Sequence, residues 1–243
     1  MTLLEEARTK LRQLAAIHNW DETEKIHIVS ARDLTPTEAI GTPDRNDYPL
    51  LKGKEVMMEA RFRDGIGQAY TDQAGRFEGT LGEVLQLPLN TNFYRAVFVA
   101  TLNAVMRHLK QADATIHCKD NEPALCAKQV PDYIRKHYGQ PKIAFIGLQP
   151  GLIQALHDAG FEMRVTDLNP DNIAQVRCGE KIYDAINNSE HVHWADIVLS
   201  TGSVLVNDTY HELQHGKPVI YYGVTAAGLA NMFKLNRICF CGR

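Results

Sequence analysis

The sequence predicts an α/β protein, with a doubly wound parallel sheet in its second half and a smaller α+β domain before it. Three observations carry this. The runs 142–147, 196–200 and 218–222 have the unbroken apolar character of strands buried on both faces. Helical stretches with their own start and stop residues separate them, at the spacing of successive strand–helix units. Each run ends in a glycine- or hydroxyl-bearing turn, at 147–151, 201–203 and 223–225. Ligands bind outside the carboxyl ends of such strands, so these turns are expected to meet at one mouth.

In chain order, residues 3–17 put Leu4, Ala7, Leu11, Leu14 and Ile17 on one helical stripe. Residues 26–29 and 55–62 read as strands, separated by a loop over 35–53 that contains Pro, Asp and Gly. Asp64-Gly65 marks a turn, and 67–71 continues the meander. The strongest helix of this half is 93–109, with Asn90 and Asn92 as candidate caps. It is apolar nearly all round and should lie between layers, so Asn103 needs either a core partner or a polar cleft. A helix over 124–138, interrupted near Pro131, closes at Gly139. The domains are drawn at 1–112 and 113–243.

The second domain opens with strand 142–147 and a helix capped by Gln149, with Pro150 in its first turn and Gly160 past its end. Strand 162–167 then ends in Asp167. A dinucleotide fingerprint requires G-x-G-x-x-G, and here Gln149 replaces the middle glycine. Asp167 does fall at about the twenty-residue offset of a ribose acceptor. It reads equally as a cap for a short helix at Asn169-Pro170-Asp171. A helix from Asn207 or Asp208 to about His215, a helix over 226–233 and a strand over 238–241 complete a sheet of roughly five strands.

The net charge of −3 offers no basic footprint for nucleic acid or an anionic membrane, and no run is long enough to span one. Five cysteines without framework spacing suit a reducing compartment, and the cytoplasm is the expected location. Cys239 and Cys241 would share one face of the last strand and are the metal-ligand candidates; Cys118, Cys126 and Cys178 are scattered. His211 and His215 form a literal H-E-x-x-H, but Gly216 and Pro218 end the helix at the second histidine, and the motif is read as incidental. The turn from Thr201 through Gly202 and Ser203 offers hydroxyls and amides to a carboxylate, a phosphate or an oxyanion, and is also ordinary turn chemistry.

These residues resemble the putative heavy-metal chelation proteins, a prokaryotic family. The likeness lies in Gly65-Ile66-Gly67-Gln68-Ala69-Tyr70-Thr71, Thr101-Leu102-Asn103-Ala104, Ile146-Gly147-Leu148-Gln149-Pro150-Gly151, the stretch from Val165 to Pro170 and, most specifically, that from Ala195 to Thr209. The resemblance implies an enolase-N-terminal-like domain joined to a Rossmann-like domain, with an interdomain cleft that binds a metal ion or metal chelate. It carries over Asn103, Gly147, Pro150, Gly151, Asp167, Thr201, Gly202, Asn207 and Thr209 as ligand-binding positions. Asp208 departs from the glycine expected after Asn207. The leading reading is a small anionic ligand, such as a metal chelate, bound in that cleft. The alternative is an enzyme holding S-adenosylmethionine or a nucleotide against Gly147 and Asp167. Whether the chain turns over a substrate or forms a homo-oligomer stays open.

Overall fold

A computed structural model describes residues 2–21, 28–52 and 55–243. Helix α1 (Leu3–Ile17) begins at a capping box, where Thr2 accepts from the Glu5 amide and Glu5 accepts from that of Thr2. It buries Leu4, Ala7 and Leu11, whereas Ile17, expected on the same stripe, is exposed at the helix end. Strands β1 (Ile28–Leu34), β2 (Val56–Phe62), β3 (Gly65–Thr71) and β4 (Phe77–Thr80) form an antiparallel sheet in the order β3-β2-β1-β4. The start of the first expected strand, at residues 26 and 27, lies outside the described residues. The connecting loop contains two short helices, α2 (Pro36–Ile40) and α3 (Pro49–Lys52).

After α4 (Leu81–Gln86) comes α5 (Asn92–His108), capped by Thr91 rather than by either asparagine. Thr91 accepts from the Tyr94 amide at 3.2 Å, while Asn92 Nδ2 donates to the Asp72 carboxylate at 2.7 Å and anchors the preceding turn. An unbroken run from Ala96 to Met106 is buried, because α5 lies against β2 and β3 on one side and against helices of the second half on the other.

Helix α6 (Glu122–Tyr138) runs straight through Pro131. The lost hydrogen bond is offset by a buried stripe of Ala127, Val130, Pro131 and Ile134 packed toward the next helix. Then follow β5 (Ile143–Ile146), α7 (Pro150–Asp158), β6 (Met163–Asp167), β7 (Val176–Arg177), β8 (Glu180–Asp184), α8 (Asn188–Trp194), β9 (Ile197–Thr201), α9 (Ser203–Val206), β10 (Val219–Tyr222), α10 (Ala227–Phe233) and β11 (Asn236–Ile238). The seven-stranded sheet has the order β11-β10-β9-β5-β6-β8-β7, parallel except at the β7–β8 edge. From β5 the chain builds outward through β6 and β8, then returns to build the other way through β9, β10 and β11. The reversal point between β5 and β9 is where ligand crevices form in such sheets. Alternation along β5 sends Ile143 and Phe145 toward α6 and α7, and Ala144 and Ile146 into a core continuous with the antiparallel sheet.

Two sequence expectations fail here. No helix follows Asn169. Turns lead instead into the β7–β8 hairpin, whose connecting Cys178 and Gly179 both have positive φ (52° and 82°), as a two-residue turn of this kind requires. Nor does a helix start at Asn207: α9 begins earlier, at Ser203, and ends at Val206, with only a short 3-10 turn at Tyr210–Leu213 beyond. The cause is Asp208, which adopts φ 60° and turns the backbone out of the helix. Asp208→Gly should therefore stabilise the protein by up to about 1 kcal/mol and raise Tm by roughly 2–4 °C in a thermal melt. An unchanged or lower Tm would show that the aspartate side chain itself holds this turn.

Candidate functional site

The three strand-end turns of the parallel sheet meet beneath the antiparallel half. Gly147, Leu148 and Gln149 after β5, Thr201 and Ser203 after β9, and Gly223 and Thr225 after β10 line an inner chamber of about 110 Å³. Tyr48, Leu50, Glu55 and Tyr70 cover it from the first half. Glu55, Tyr70, Asp167 and Thr201 are shared with a second cavity of about 690 Å³, the outer cleft.

Gly147 makes the geometry possible. Its φ is 88°, and a Cβ there would stand 2.6 Å from Thr201 Cγ2, so both backbone conformation and space require glycine. The Tyr222 hydroxyl donates to Gly147 O at 2.8 Å and locks the turn. Beyond it, Gln149 caps α7 by accepting from the Leu152 amide at 2.7 Å, and Pro150 fills the first turn. Asp167 ties this turn to the next one: its Oδ2 accepts from the Leu148 amide at 2.7 Å, and its Oδ1 from the Asn169 amide and Asn172 Nδ2, both at 2.9 Å. Two of the amides that would cradle a phosphate at this helix start, those of Leu148 and Leu152, are thus already bonded to side chains, and Pro150 has none to offer.

The residues carried over from the sequence fall into two groups. Gly147, Asp167 and Thr201 line both chambers, and Pro150, Asn207 and Thr209 line the outer one. Gly151, Gly202 and Asn103 line neither. Gly151 packs against the Tyr48 ring, and a Cβ on Gly202 would meet Ala226 N at 2.8 Å, so each glycine permits close packing. Asn103 is fully buried. Its Nδ2 donates to the carbonyls of Gln68, Thr225 and Val224 (2.8, 3.1 and 3.2 Å), and its Oδ1 accepts from the Gly228 amide at 2.6 Å. Both ends of its side chain are engaged in the core, and full burial leaves no face for a ligand.

The first half supplies other residues instead. Tyr48, buried at 3% exposure, brings to the inner chamber a hydroxyl with no hydrogen-bond partner among the described residues. Buried polar groups are nearly always paired, which marks this hydroxyl as a candidate contact for a bound molecule. The Tyr70 hydroxyl lies 3.2 Å from His117 Nε2, and burial lowers that imidazole to about 4, so it is neutral at pH 7. Glu55 stands at the junction of the two chambers. Its side chain keeps contact with solvent there, and the protein around it, with the Asp167 and Asp72 carboxylates nearby, holds its carboxyl above the usual carboxylate range. Strand alternation makes Tyr70 recognisable in the sequence as a residue of the opposite face to Ala69, but nothing local announces that Glu55 and Tyr48 reach the crevice of a distant sheet.

The outer cleft carries five carboxylates, Asp47, Glu55, Asp72, Asp167 and Asp171, against Lys52 and Arg177. Asp47 among them is paired with Arg45 at 2.7 Å.

The cysteines depart from expectation. Strand β11 ends at Ile238, so Cys239 and Cys241 do not share a strand face. Cys118, Cys126 and Cys239 line the inner chamber, drawn together from both ends of the second half. Burial raises the thiols of Cys118, Cys239 and Cys241. Only Cys178 stands apart, 3.3 Å from Pro150 O. In the H-E-x-x-H segment, His211 and His215 are exposed around a 3-10 turn rather than on one helix face, the His215 ring packs tilted against that of His193, and Glu212 accepts from Asn188 at 2.8 Å. That is not a zinc-hydrolase helix. Among the described residues, no group of three or more His, Cys, Asp or Glu is arranged to hold a metal ion, and no helix is long and apolar enough to cross a membrane.

A parallel sheet wound both ways from β5, with its crevice covered by an antiparallel unit, defines a mixed α/β protein with a ligand cleft at the point where strand order reverses. Residues 129–239, from within α6 to just past β11, match the model of the family described as Putative heavy-metal chelation, DUF364. A protein of unknown function from the same family in Pyrococcus horikoshii superposes with a TM-score of 0.55 at 16% identity, over 93% of this chain and 80% of that one. Another, from Desulfitobacterium hafniense, does so with a TM-score of 0.50 at 12% identity, over 73% and 72%. At these identities the likeness concerns the fold. No curated protein matches the chain.

Proposed function

We propose that the cleft binds a metal ion carried as a small chelate, whose positive charge the cleft carboxylates balance. The observation that carries this reading is the lining itself: Glu55 stands where the two chambers join, and Asp72 and Asp167 line the same outer cleft. Carboxylates crowded in this way gain from a cation that a ligand delivers. Since no preformed coordination shell exists among the described residues, the ion brings donors of its own. Tyr48, with its unpartnered hydroxyl, and Thr201 are suited to bond the organic part. Asp167, Gly147, Pro150, Asn207 and Thr209 form the wall. The anion expected from the sequence fits only as part of a complex with net positive charge. The bonded amides at the start of α7 speak against a nucleotide phosphate there. The domains 1–112 and 113–243 would then serve as cover and base of one cleft, in a cytoplasmic protein whose partner is a small molecule.

A thermal-shift screen of metal chelates, free metals, S-adenosylmethionine and nucleotides tests this. A ligand at a hundred times its Kd should add about 2.7 kcal/mol to stability. Binding of a cationic chelate should strengthen as pH rises through the raised Glu55 titration, because the ionised carboxylate adds its attraction to that of the cleft aspartates. Glu55→Gln should weaken binding by about tenfold or more and flatten that pH profile. Stabilisation by a nucleotide alone, or a Glu55→Gln variant that keeps affinity and pH profile, would defeat the reading.

A further inference from the structure

The inner chamber differs from the outer cleft in the chemistry of its wall. Ile40, Leu50, Leu148, Leu152 and Ile238 give it apolar side chains, and no lysine or arginine lines it. Burial raises the hydroxyls of Tyr70 and Tyr222 and the thiols of Cys118 and Cys239, pushes the Tyr48 hydroxyl up to about 12 and lowers His117 to about 4, so all these groups are neutral at pH 7. The carboxylates of Glu55 and Asp167 belong to the part shared with the outer cleft. Of the tyrosine hydroxyls, that of Tyr222 is spent on Gly147 O at 2.8 Å, and that of Tyr70 lies 3.2 Å from His117 Nε2. The Tyr48 hydroxyl, on a residue only 3% exposed, has no partner among the described residues.

We propose that the inner chamber is a subsite for a neutral aromatic ring that carries one hydrogen-bonding atom, of the phenol type, with the Tyr48 hydroxyl as its partner. An apolar cavity of about 150 Å³ takes up benzene. A chamber of about 110 Å³ that shares part of its wall with a larger cleft suits one such ring, with any substituents extending outward. An anionic head would lose its hydration against this wall and find no counter-charge, and a purely apolar one would leave the Tyr48 hydroxyl unpaired. A ring bearing a hydroxyl meets both conditions. The inference deepens the chelate reading and rests on it only for the rest of the guest, in the outer cleft; the ring itself needs no metal.

The test is a nuclear magnetic resonance titration of the whole chain, labelled at its isoleucine and leucine methyl groups, with phenol and in parallel with toluene and benzoate. Phenol should give saturable shifts, show contacts from its ring protons to the methyls of Ile40, Leu152 and Ile238, and bind more tightly than toluene. Benzoate should give no contact there. Tyr48→Phe removes the hydroxyl and keeps the ring, so it should lower phenol affinity about fivefold and leave that of toluene undiminished. Its Tm should be unchanged or higher, because no bond within the protein is lost. Absence of saturable phenol binding, contacts confined to other methyls, benzoate in the chamber, equal loss of phenol and toluene in Tyr48→Phe, or a lower Tm of that variant would overturn the proposal. Phenol bound in the chamber while every chelate fails would keep this subsite and end the chelate reading; a chelate bound while phenol fails would do the reverse.

Discussion

Alanine at Gly67 is expected to destabilise the protein by about 3 kcal/mol or more, the largest effect of any single methyl group considered. Gly65 and Gly67 occupy alternate positions on β3 and face α5, where a Cβ on Gly67 would fall within 3.0 Å of Ala104 N, Ala100 O and Asn103 C. All three are backbone atoms, so no side chain can swing aside; strand and helix must separate. That would open the layer at the centre of the largest hydrophobic cluster. Urea denaturation should show a much lower midpoint with an unchanged slope. An unfolding free energy within about 0.5 kcal/mol of the parent would mean that β3 and α5 do not touch through their backbones.

Asn103→Ala should cost about 4 kcal/mol. It strands the Gly228 amide in the first turn of α10, which has no side-chain cap of its own, together with the carbonyls of Gln68, Val224 and Thr225. A cavity adds to the loss. Because Asn103 lies in the core, the folded fraction of this variant should bind a cleft ligand with unaltered affinity. A ligand-binding defect without loss of stability, measured by thermal melt and titration on the same sample, would return Asn103 to the site.

The sequence alone determined the parallel sheet, the buried helix α5 and the meeting of the turns at Gly147, Thr201 and Gly223, because burial on both faces and strand-end turns leave local patterns in residue type. It also located the start of α7 at Gln149 and Pro150, where capping chemistry is read within four residues. The hairpin at Cys178-Gly179 escaped, since cysteine gives no turn signal, and so did the early end of α9, set by the backbone of one aspartate. Only the tertiary structure decided that Asn103 serves the core, that Glu55 and Tyr48 cover the cleft, and that Cys118 and Cys126 join Cys239. Those placements depend on which distant segments pack together, and no periodicity within a segment records its partner across the core.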